Sequence, residues 1–109
     1  MIETKTIRVE ERHLDAALAA LAPHRSVEEE CSQCVMGQAL SEAFGERAIA
    51  QFPRWVYLNK FLDSPRWEVS GESLAAYWDV IRAFDNIHDR GHTRALLPAT
   101  IILQREVEG

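Results

Sequence analysis

Between Thr4 and Val9 apolar and polar positions alternate, Ile7 and Val9 against Thr6 and Arg8, which is the period of a strand with one buried face. The period then changes. From Glu11 to Ala22, Leu14, Ala17, Leu18 and Leu21 recur at helical spacing and predict a single apolar stripe, stopped by Pro23. His24 to Glu30 reads as a polar connection, in which Ser26 and Glu29 have capping-box spacing. A second helix is predicted from Ser32 to Phe44, burying Val35, Met36, Ala39, Leu40 and Ala43, with Gly45 as a left-handed cap.

The segment from Glu46 to Ser70 has no single period. It carries Pro53-Arg54-Trp55 and Pro65-Arg66-Trp67, and each triplet leads into a short β-prone run, Trp55–Leu58 and Trp67–Ser70. Two neighbouring strands fit these runs, and so does one strand with a short helix through Asn59-Lys60-Phe61-Leu62. From Gly71 to Ile87 the helical pattern is plain: Leu74, Tyr77, Trp78, Ile81 and Phe84 form a broad stripe, and Glu72, Asp79, Arg82 and Asp85 fall elsewhere on the wheel. After a charged, His-rich loop from His88 to Arg94, the chain ends in a strand over Ala99–Arg105. Its consecutive Ile101, Ile102 and Leu103 predict a central strand covered on both faces. The order β-α-α-β(β)-α-β describes an α+β domain, with a small sheet of three to four strands and about three helices packed on it.

Length sets the number of domains. The chain has 109 residues, enough for one domain over 1–109 and for a working core without disulfides or a metal. There is no apolar run long enough to cross a membrane and no secretory leader, and two cysteines do not make a disulfide framework. A cytoplasmic location and no membrane partner are the resulting expectations. The formal net charge of −5 argues against nonspecific nucleic-acid binding, which needs a basic face. The acids are mixed with bases rather than set in rows, so mimicry of nucleic acid does not follow either. The cluster Glu28-Glu29-Glu30 reads as a solvated loop or a first helical turn.

Three stretches together carry a family resemblance. They are Cys34-Val35-Met36-Gly37-Gln38-Ala39-Leu40 opening a helix, Phe84-Asp85 closing one, and the Pro-led strand Leu97-Pro98-Ala99-Thr100-Ile101-Ile102-Leu103. In these the chain resembles a loose group of short uncharacterised proteins of bacteriophages and prophages, over about Ile7 to Arg105. Val35 stands where that group usually has Pro, Gly37 where it has Ala, and His88 to Arg94 lengthens the last connection. The resemblance implies the order of elements and a phage context; it implies no activity.

Candidate chemistry is sparse. Cys31-Ser32-Gln33-Cys34 and His88-Asp89-Arg90-Gly91-His92 pair two thiolates with two imidazoles, the donor set of a tetrahedral zinc site. Fifty-three residues separate the pairs, so only the fold can bring them together. The competing role for Cys34 is that of a small buried residue. As a redox pair, Cys31 and Cys34 are opposed by the three preceding glutamates. There is no Gly-rich phosphate loop and no Gly-x-Ser-x-Gly elbow, so the expectation is a protein that is not an enzyme and needs no cofactor. What remains is aromatic content: Trp55, Tyr57, Phe61, Trp67, Tyr77 and Trp78 lie within 24 residues. Tyr77 and Trp78 fit the helical core stripe. Trp55 with Arg54, and Trp67 with Arg66, are the residue types that anchor protein interfaces. The sequence therefore predicts a non-catalytic binding protein of phage type that modulates a host protein or ribonucleoprotein complex, a defence (anti-CRISPR-like) inhibitor being one form of this. Zinc-stabilised structural or adaptor domain is the alternative.

Overall fold

A computed structural model of the chain describes residues 1–21, 32–51, 54–58, 66–86 and 90–106. Among the described residues there are five strands: β1 (Ile2–Val9), β2 (Ala48–Gln51), β3 (Trp55–Leu58), β4 (Arg66–Val69) and β5 (Ala99–Glu106). They form one sheet in the order β1-β5-β4-β3-β2, antiparallel throughout. Among the described residues, α1 (Glu11–Ala19), α2 (Val35–Phe44) and α3 (Leu74–Asp85) are α-helices, Ser32 and Gln33 are also helical, and Gly71–Ser73 and Arg90–Leu96 are 3-10 segments. The α+β class matches the expectation. The sheet is larger than the three to four strands expected, because residues 46–70 supply three strands rather than one or two. The strand that sequence pattern missed is β2: Ala48-Ile49-Ala50 is too short to show a period, and Ala is a weak strand former.

One face of the sheet holds the core. Ile7 and Val9 of β1, Ala99, Ile101 and Leu103 of β5, Trp67 and Val69 of β4, Val56 of β3, and Ala48 and Ala50 of β2 are all buried in one cluster. Val35, Met36, Ala39 and Leu40 of α2 and Tyr77, Val80, Ile81 and Phe84 of α3 close over it. Each buried Val, Leu, Ile, Met or Phe among them contributes about 1.5–3 kcal/mol, so this layer dominates the folding free energy. Strand β5 does sit inside the sheet, between β1 and β4. It is not covered equally on both faces: Ile101 and Leu103 are buried, whereas Ile102 is opposite exposed Thr6 on the other face and only partly covered.

Helix α1 is shorter than its pattern. It buries Leu14 and Ala17, but it ends at Ala19, and Leu18 and Leu21 of the expected stripe are each 39% exposed. Its start is fixed by a reciprocal cap: the Glu10 side chain accepts from the His13 backbone, and the Glu10 N–H donates to His13 Nδ1 at 2.9 Å. Because Nδ1 accepts, the neutral ring carries its proton on Nε2, which faces Glu42 of α2 at 3.1 Å. This buried imidazole thus joins α1 to α2. A hydrogen bond from Arg12 holds the Glu10 carboxyl below its ordinary range, against an opposing effect of desolvation. The predicted connection from His24 to Glu30 lies outside the described residues.

Helix α2 begins at Cys34, whose Sγ accepts from the Gly37 N–H at 3.3 Å, and ends at Gly45 with φ 70°. The predicted left-handed cap is therefore present; Ala43, expected inside, is exposed. The predicted helix from Gly71 resolves into a 3-10 turn followed by α3. Tyr77, Ile81 and Phe84 are buried, and Leu74 and Trp78 are partly buried against them. Within the span read as a His-rich loop, Arg90 onward forms a 3-10 segment.

Tyr77 links the helical layer to the far strands. Its hydroxyl lies 3.0 Å from the Gln51 carbonyl and 3.3 Å from that of Trp55, and shares its one proton between them. Tyr77→Phe keeps the buried ring and removes that donor from the Gln51 and Trp55 carbonyls. The expected loss in urea unfolding free energy is about 1–3 kcal/mol with an unchanged m-value.

Candidate functional site

The two Pro-Arg-Trp triplets look equivalent in sequence and are not equivalent in the fold. β3 and β4 pair Trp55 with Glu68, Val56 with Trp67, and Tyr57 with Arg66. Opposed residues share a face, so Trp67 falls on the core face with Val56, and Trp55 falls on the outer face with Glu68 and Arg66. Trp67 is only 3% exposed. Its ring packs on Phe44, with centroids 5.4 Å apart and planes inclined at 52°, and the Arg105 guanidinium covers it at 4.5 Å. Its Nε1–H finds no acceptor among the described residues, and the indole is held there by packing. The interface expectation is corrected at this residue: Trp67 is part of the core.

Trp55 is partly exposed on the outer face, with the Arg66 guanidinium stacked over its ring at 3.9 Å from the centroid. The two are diagonal neighbours on adjacent strands, a spacing long side chains reach across. Arg54 is exposed in the turn that precedes β3. The structure thus brings together Trp55 and Arg66 and separates Trp67; the Arg54 carbonyl accepts from the Val69 N–H at 2.7 Å.

Register places other side chains in line with Trp55. One row crosses all five strands through Thr4, Gln104, Glu68, Trp55 and Gln51. Gln104 donates to Glu68 at 3.4 Å within that row. A surface depression of about 640 Å³ lies at its centre, lined by Ile2, Trp55, Arg66, Glu68, Gln104, Arg105 and Glu106. Its charges balance, two arginines against two glutamates, and among the described residues its lining holds no Ser, Thr, Cys or His. An indole, a partly exposed isoleucine and mixed polar groups suit a protein surface better than a phosphate backbone. The outer face is not uniformly open, since Ile49 and Tyr57 at its β2–β3 end are 0% and 6% exposed.

Sequence reasoning singled out Trp55 and Arg66 by residue type but missed Glu68, Gln104, Ile2 and Glu106. The signal for Glu68 and Gln104 was their alternation with Trp67, Val69 and Leu103. That alternation says they face away from the core without saying what they lie beside.

The proposed zinc set is only half described, because Cys31 and His88 lie outside the described residues. The other two members have different settings. Cys34 is 6% exposed and caps α2, a role that needs no metal. His92 is exposed in the 3-10 segment, on a groove shared with Asp79, Arg82 and Asp85. Among the described residues no group of three or more His, Cys, Asp or Glu is placed to hold a metal ion. No helix there is long and apolar enough to cross a membrane.

No protein-family model, no curated protein and no solved structure matches the chain.

The different fates of the two tryptophans have a direct energetic consequence. Trp67→Ala empties a core position and should cost about 3–5 kcal/mol, whereas Trp55→Ala, on the partly open face, should cost about 1 kcal/mol or less. Urea unfolding of both variants, followed by far-UV circular dichroism, measures the difference.

Proposed function

We propose that this chain is a non-catalytic binding protein that recognises a partner protein through the outer face of its sheet, centred on Trp55 and Arg66. The observation that carries this reading is the Trp55–Arg66 stack beside Glu68 and Gln104, on the sheet face that the helices leave uncovered. An aromatic ring and a guanidinium pre-packed on rigid strands lose little side-chain entropy on binding, and both types are enriched where interface energy concentrates. The net charge of −5 and the balanced charge around the depression favour a protein partner over bare nucleic acid. The phage resemblance supplies the context: the partner is a host protein or ribonucleoprotein complex whose activity the domain modulates, and a defence complex is one such target.

The test is affinity capture from host lysate with wild-type chain and with Trp55→Ala plus Arg66→Ala, both verified as folded by circular dichroism. One dominant captured species that the double variant loses, with affinity reduced at least a hundredfold (two interface anchors removed), is the expected result. Equal capture by both proteins removes the outer face from the binding surface.

A further inference from the structure

The two edges of the sheet are unlike. At one edge β2 is four residues long, and its Ala48, Ile49 and Ala50 are buried. At the other, β1 runs for eight residues, and among the described residues β5 is its strand neighbour. The first half of β1 is exposed, with Met1 at 83% and Ile2 at 59%. A long edge strand without Pro or Gly is a template for another strand. We propose that β1 is where a second copy of this chain adds to the sheet, antiparallel, about a twofold axis at Thr4.

The charges on β1 select both the occupant and the register. A twofold axis perpendicular to the sheet keeps the helix-covered face continuous across the join. Odd-numbered residues of β1 then pair only with odd, and even only with even. Centring on Lys5 sets Lys5 against Lys5 of the second copy. Centring on Thr6 sets Lys5 against Ile7. Centring on Thr4 sets Glu3 against Lys5 twice, once on each side of the axis, with Thr4 against Thr4 between them. In that register Glu3, already bonded to Arg105 at 3.0 Å, gains a second cation, and the row alternates Arg105, Glu3, Lys5 across the join. Lys5 is half-buried beside Phe44, 5.0 Å from the ring centroid. An inward-facing lysine on an edge strand obstructs indiscriminate pairing, and a strand that brings a carboxylate to it removes the obstruction. The same strand covers Met1 and Ile2.

Light scattering coupled to size exclusion, on the full chain over a micromolar to millimolar series, tests this. The wild type should approach twice the 12.4 kDa chain mass. Lys5→Glu sets Glu against Glu, Glu3→Lys sets Lys against Lys, and each should weaken the dimer about tenfold or more. An equimolar mixture of the two variants restores both opposite-charge pairs and should recover the dimer mass. Thr4→Lys, at an exposed position, places two lysines at the axis and serves if either charge variant fails to fold. A wild type that stays monomeric throughout, a dimer indifferent to all three substitutions, or a mixture that stays monomeric overturns the proposal.

Discussion

The pairing of β5 between β1 and β4 is the contact on which the rest of this structure depends. It joins the first strand of the chain to the meander built by residues 48–69, and it does so through the last strand to be made. Two further bonds anchor that junction: Ser70 N–H to the Ile102 carbonyl at 2.9 Å, and Ile102 N–H to Ser73 Oγ at 2.9 Å. The second comes from the 3-10 turn that leads into α3, so strand register and helix position are set together. A slip of one residue here would turn Ile101 and Leu103 out of the core and Ile102 into it. The three core residues Ala99, Ile101 and Leu103 are the thermodynamic reason that no slip occurs.

From that constraint follows the division of labour between the two faces. α2 and α3 cover the face that carries Ile7, Ile101, Leu103, Trp67 and Val56, and the opposite face is left with a polar row in which Trp55 is the large apolar member. Arg66 stacks on Trp55 from outside, and Tyr77 reaches from the core to the carbonyl of Trp55. The exposed ring is thus held at its backbone by the buried layer and at its face by a neighbouring strand. A side chain held in this way loses little freedom on binding, as the proposed interface role requires.

Much of the fold was legible where a long period exposed it. The alternation of Thr6, Ile7, Arg8 and Val9, the stripe from Leu74 to Phe84, and Gly45 as a helix stop all correspond to elements of the structure. β2 was not legible because three small or β-branched residues carry no period. The fate of the two tryptophans was not legible for a different reason. Local pattern treats Pro53-Arg54-Trp55 and Pro65-Arg66-Trp67 alike, but β3 pairs odd-numbered residues with even-numbered residues of β4, so two odd-numbered tryptophans fall on opposite faces. That parity is a property of strand pairing and belongs to neither triplet. Cys34 shows the converse: its position before Val35 and its place at a helix start are enough to make it a buried cap.

The measurement closest to the centre of this account is the set of cross-strand nuclear Overhauser contacts between β4 and β5 in the labelled protein. The expected backbone contacts place Glu68 opposite Gln104 and Val69 opposite Leu103. A pattern that places Glu68 opposite Leu103 would carry Trp67 to the outer face and contradict the account.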